Sequence, residues 1–281
     1  MSEIKIYPKK ENKKYGFTYL GGVGISKKLK KNIIVSKQYT YALYLAPHKL
    51  SGYNVCKHST PECRLGCLYN SGQGGMRDEV KNARINRTKL FFENRNKFME
   101  ILIKEIKHFH NLAKKDNYGF SVRLNATSDI EWENIYYKGN TIFEIFPDIQ
   151  FYDYTKNHNR ILFKSMPKNY YLTLSYTGRN KELCFEALKQ KKNVAVVFNI
   201  TGNIKQLPTK WYGYKVIDGD ITDYRPDDLN GVVIGLRYKN LTSDKTINKI
   251  IRKSIFVQQL NDNVTFKPIR FQNERIKVVV L

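Results

Sequence analysis

The sequence predicts an α/β fold in which parallel strands build a TIM-like or partial (βα) barrel, preceded by a basic N-terminal extension. Three observations carry that class. Seven short runs rich in β-branched and aromatic residues recur at 41–46, 120–124, 149–154, 170–176, 193–199, 214–218 and 231–236. Several are separated by polar or helix-forming segments long enough for a crossover, which parallel neighbours require and hairpins do not. The length, 281 residues, buries a sizeable core without disulfide staples, and such barrels run to about 200–250 residues as one unit. An open doubly wound sheet is the alternative arrangement of the same strands.

Taken in order, residues 1–38 hold ten lysines against Glu3 and Glu11, with glycines at 21, 22 and 24, and read as a solvated basic extension or short hairpin. The main domain spans 39–246. It opens on TYALYLAP, an alternating aromatic run closed by Pro47. A cysteine loop follows, and after the glycines at 72, 74 and 75 a long helix is expected from near Asp78. Phe91, Phe98, Leu102, Ile106, Phe109 and Ala113 share one face of it, with Lys and Arg opposite. His108 and His110, near its end, read as surface or capping groups. Residues 181–192 form a second helix after Asn180, placing Leu183, Ala187 and Leu188 at helical spacing. The remainder, 247–281, is a C-terminal appendage expected to supply a basic helix and an edge hairpin.

The segment CKHSTPECRLGC places Cys56, Cys63 and Cys67 within twelve residues. Thiolates crowded together repel, so they call for oxidation to disulfides or for a cation. No apolar core with a small-residue cleavage site follows the N-terminus, so a reducing, cytoplasmic setting is expected, and the cation is favoured. Three thiolates with one open position suit an iron-sulfur cluster of the 4Fe-4S type. Adding His58 gives a complete Cys₃His zinc set, the alternative, although zinc ligands normally pair two to four residues apart and the first gap here is six. Cys184 reads as a small buried hydrophobe.

In a parallel barrel the active site lies at the carboxyl ends of the strands, and polar residues gather there. Catalytic candidates are Asp129, Glu131, Asp153, Lys156, Asp218 and Asp220; ligand-binding candidates are Asn125, Ser128, Ser175 and Arg225. Carboxylates beside Lys and Arg in a cleft serve acid–base work or hold a polar ligand, whereas singly each is a strand-end cap. Were Asp129, Glu131, Asp218 and Asp220 to converge, a metal-dependent nuclease would follow. No P-loop, Rossmann glycine fingerprint or nucleophile-elbow serine occurs.

Lys plus Arg number 49 against 25 Asp plus Glu, a net charge of +24. Such an excess points to a polyanionic partner, nucleic acid or nucleotide first, an anionic membrane surface second. No run approaches the ~18 apolar residues of a membrane span.

The stretches YLAPHKLSGYNVC, VRLNATSDIEW, FPDIQFYDYTK, NVAVVF, VIDGDITDYR and GVVIGL, with the three-cysteine loop, resemble the phage gene-product-88 family over about residues 41–240. That resemblance implies a phage or mobile-element origin, with the cytoplasm of the host cell as the setting, and no assigned activity. A looser likeness reaches radical S-adenosylmethionine enzymes, which place a three-cysteine loop after the first strand of a βα barrel. It implies Cys56, Cys63 and Cys67 as cluster ligands and S-adenosylmethionine as a cofactor. The spacing departs from that pattern, six and three residues standing where three and two are usual.

Overall fold

The computed structural model describes residues 27–67, 69, 77–200, 206–241, 244–260 and 263–266. Seven parallel strands form its centre: β1 (Gln38–Ala42), β2 (Gly119–Arg123), β5 (Gln150–Thr155), β6 (Tyr170–Ser175), β7 (Val194–Phe198), β9 (Tyr214–Asp218) and β10 (Val233–Arg237). Their order is β1-β2-β5-β6-β7-β10-β9, continued by antiparallel β8 (Lys210–Trp211) and β12 (Val264–Thr265). Most of these strands are buried along nearly their whole length, as both faces are covered.

The expected class therefore holds as α/β with a mostly parallel sheet, but among the described residues no closed barrel is present. A barrel requires the last strand to pair with the first, and the last two strands are exchanged. β10 enters between β7 and β9, in register Val233↔Val194 on one side and Val233↔Val216 on the other. The sheet stays open, and the loop after β9 crosses to the helix before β1. There Asn32 Oδ1 accepts from Asp223 N at 2.7 Å and Thr222 Oγ1 at 2.9 Å, while its Nδ2 donates to Thr40 Oγ1 at 2.9 Å and Tyr152 at 3.2 Å.

That helix, α1 (Lys27–Ser36), is a correction to the solvated extension. Leu29 and Asn32 are buried against β1, so 27–38 belong to the body; Lys9, Lys10, Lys13, Lys14 and the glycines at 21, 22 and 24 lie outside the described residues. The long helix is two: α3 (Asp78–Glu93) and α4 (Arg95–Lys115), broken at Asn94, whose side chain caps α4 through Lys97 N. All six residues predicted on its apolar face are buried. They join Tyr41, Val122, Phe151, Leu172 and Val196 in the main core, with Cys184, Ala187 and Leu188 of α7 (Lys181–Lys189).

Short elements complete the chain. These are α2 (Pro61–Leu65), a hairpin of β3 (Tyr136–Tyr137) and β4 (Asn140–Thr141), α5 (Ile142–Ile145), α6 (His158–Leu162) and α8 (Lys245–Lys253). The appendage is partly integral: β11 (Val257–Gln258) pairs with β7. The final IKVVVL run lies outside the described residues. Among the described residues no helix is long and apolar enough to cross a membrane.

Candidate functional site

The cysteine loop leaves the carboxyl end of β1 and is tied to the loop after β2, where Asp129 N donates to the Val55 carbonyl at 2.8 Å. Asn54 Oδ1 accepts from Cys56 N at 2.9 Å. Thr60 then caps α2, accepting from Cys63 N at 3.1 Å, with Pro61 at its first position. Glu62 pairs with Arg179 after β6 at 2.6 Å. A single turn thus carries Cys63, with Cys56 just before it and Cys67 just after.

Lys156 meets these sulfurs from the end of β5. Its ammonium interacts electrostatically with Cys63 and Cys56; Cys67 feels the same charge. Burial opposes the charge on Lys156, but Cys63, Asp129 and Cys56 outweigh it and raise its pKa. Burial pushes the Cys56 thiol up to about 11, with Lys156 acting in the opposite direction, and raises Cys67 likewise. Asp129 fixes the lysine's backbone: its Oδ2 accepts from Lys156 N at 2.8 Å and its Oδ1 from Thr155 Oγ1 at 2.8 Å. Arg160 lies 3.4 Å from Asp129 and binds Glu133 through two contacts of 2.7 and 2.6 Å, wholly buried.

Other predicted residues serve the frame. Asn125 Oδ1 accepts from Ser128 Oγ, Ile130 N and Trp132 Nε1, at 2.8, 2.9 and 3.2 Å, which folds the loop after β2. Asp153 is fully buried, accepting from Asn125 N at 2.8 Å and Tyr170 at 3.0 Å; burial lifts its carboxyl to about 7. Glu131 takes Asn157 at 2.9 Å and Lys164 at 3.0 Å. The Ser175 carbonyl accepts from Asn180. Arg225 is buried, donates to the Thr222 carbonyl and pairs with Asp228 at 3.1 Å.

Asp218 and Asp220 end β9, four strands along the sheet from β5. Asp218 takes both terminal nitrogens of Arg237 at 2.8 Å each, and Asp220 pairs with Arg237 at 3.3 Å and Lys239 at 3.1 Å. The rim is therefore divided: Asp129 and Lys156 lie by the cysteines, Glu131 pairs with Asn157 and Lys164, and Asp218 and Asp220 pair with Arg237. Among the described residues no three His, Cys, Asp or Glu side chains stand close enough to hold a metal ion. His58 is exposed. Sequence reasoning missed the buried arginines Arg84, Arg87 and Arg160, because in so basic a chain an arginine carries no local sign of burial.

These features define a mostly parallel, open-sheet α/β protein with cysteines and a lysine clustered at the carboxyl ends of its first strands. The chain belongs to the gene product 88 family, whose model matches residues 10–253. None of the curated proteins and none of the solved structures compared with the chain matches it. The likeness to radical S-adenosylmethionine enzymes finds no support in these matches.

Proposed function

We propose that Cys56, Cys63 and Cys67 hold a metal centre, an iron-sulfur cluster of the 4Fe-4S type, with which the protein acts on a nucleotide or nucleic acid. One observation carries the reading: the three thiols lie on one short loop after β1, all within electrostatic reach of Lys156, which follows β5. The donor set is of the right kind, three soft sulfur ligands, which give up their protons on binding an ion. A cluster with three protein ligands keeps one iron open for a substrate or for S-adenosylmethionine, and supplies an electron there. The chain's own groups position the loop: Asp129 holds the end of β5, Arg160 holds Asp129, and the Glu62–Arg179 pair pins α2. The net charge of +24 favours a polyanionic substrate.

The test is elemental and sulfide analysis of the full chain purified and reconstituted without oxygen. Iron and acid-labile sulfide in matched amounts, lost in Cys63→Ser, are expected. Stoichiometric zinc replaces the reading with a zinc-stabilised nucleic-acid-binding protein. The absence of both metals after reconstitution overturns the metal centre.

A further inference from the structure

We propose that Arg84 and Arg87 of α3, with the hydroxyl of Tyr41, form a binding site for an oxyanion, a phosphate or carboxylate group, beside the cysteine loop. The two arginines sit one helical turn apart, on the same side of α3. Arg84 is 8% exposed; Arg87 and Tyr41 are fully buried. Among the described residues five of their polar atoms have no hydrogen-bond partner: Nε and Nη1 of Arg84, Nη1 and Nη2 of Arg87, and the Tyr41 hydroxyl. Buried polar groups are satisfied in the great majority of native proteins, and a buried charge lacking a partner is among the most unfavourable arrangements a fold carries.

The chemistry of the missing partner follows from the set. Four of the five atoms are guanidinium nitrogens, which only donate, and the fifth is a hydroxyl able to do so. Whatever completes them must bring several acceptors. Water supplies acceptors but no charge, and two adjacent guanidiniums disfavour one another until a negative group lies between them. Among the described residues no acid reaches ion-pair distance of either arginine. Glu105 acts on Arg87 and Tyr41 only through space, without an ion pair to the arginine. The planar fork of arginine suits phosphate and carboxylate alike.

Location adds the link to the neighbouring site. The Arg84 guanidinium lies over the rings of Tyr44 and Tyr69, 5.2 and 5.0 Å from their centroids, and within electrostatic reach of Cys67. Tyr44 also acts on Arg87, so both arginines share it. These ring contacts leave Nε and Nη1 of Arg84 without a hydrogen-bond partner among the described residues. A ligand whose anionic group binds here places the rest of itself against the cysteine loop. The anion site needs no metal, so its test is independent of the metal centre.

The experiment is thermal unfolding of the full chain at constant ionic strength, with chloride replaced stepwise by inorganic phosphate and, separately, by acetate. A ligand that binds only the folded state raises Tm with its concentration, by at least about 5 °C at a ~100-fold excess over Kd. We expect that rise in the wild type and its loss in Arg84→Met/Arg87→Met, a change that also removes buried charge. Should the double variant fail to fold, Arg84→Met alone must weaken the phosphate midpoint at least ~10-fold, a factor set by the loss of one charged hydrogen-bonding partner. A rise with phosphate alone assigns a phosphate group, and one with acetate a carboxylate. A Tm indifferent to both anions overturns the site, and so does a full rise retained in the variants, which would place the anion on the basic surface.

Discussion

Arg160 offers the sharpest test of how the cysteine and lysine cluster is supported. It has no exposed surface, yet its guanidinium binds Glu133 at 2.7 and 2.6 Å, Tyr170 at 3.2 Å and Asp129 at 3.4 Å. Arg160→Met keeps the volume and leaves both carboxylates in a dry site with their principal cation gone. Breaking a buried pair from one side costs about 3–5 kcal/mol, because the remaining charge is uncompensated. That is a large part of the roughly 5–15 kcal/mol by which a folded protein exceeds its unfolded state. Urea unfolding at neutral pH reads the loss. Adding Glu133→Gln to Arg160→Met should restore more than 1 kcal/mol of it, since the worst orphan is then neutral. A single-variant loss under about 1 kcal/mol, or strict additivity of the two changes, refutes the reasoning. Because Asp129 holds the backbone of Lys156, the variant should also retain less metal than the wild type under the anaerobic protocol.

Asp153 supplies a pH dependence. Its folded-state pKa, lifted by burial to about 7, lies above the ordinary value of 3.8 for an aspartate, so its contribution to stability is complete below about pH 4 and is lost as pH rises to about 7, by roughly 1.4 kcal/mol per unit. Asp153→Asn should lack that decline, and urea midpoints at pH 5 and pH 8 that move in parallel for both proteins would contradict it. Gly178 adopts φ +84°, and a Cβ there would stand 2.3 Å from the Ile255 carbonyl oxygen; Gly178→Ala should destabilise by about 1–3 kcal/mol, read as a fall in Tm, and an unchanged Tm would show that the segment before β11 gives way freely.

Much of the fold was legible because its information is local. The runs at 120–124, 149–154, 170–176, 193–199, 214–218 and 231–236 became β2, β5, β6, β7, β9 and β10 within a few residues, since aromatic and β-branched side chains favour a pleated, buried surface wherever they fall. The apolar face from Phe91 to Ala113 was likewise readable from spacing. The break at Asn94 was not: the side chain caps α4 by accepting from Lys97 N, while the hydrophobic spacing continues across the break. Nor was α1 legible, since its four described lysines (27, 28, 30 and 31) mask a buried pair, Leu29 and Asn32.

The sequence by itself determined that strands alternate with crossovers, that three thiols lie on one short loop, and that Lys156, Asp129 and Glu131 leave strands at their carboxyl ends. Tertiary structure alone decided which strands are neighbours. Nothing in YKVID or GVVIGL states that the second lies between β7 and the first, and that exchange keeps the sheet open and carries Asp218 and Asp220 away from the cysteines. It also decided which cations are buried. Arg84, Arg87 and Arg160 read like any surface arginine of a basic chain, because desolvation is set by what packs around a residue, and those neighbours are distant in sequence.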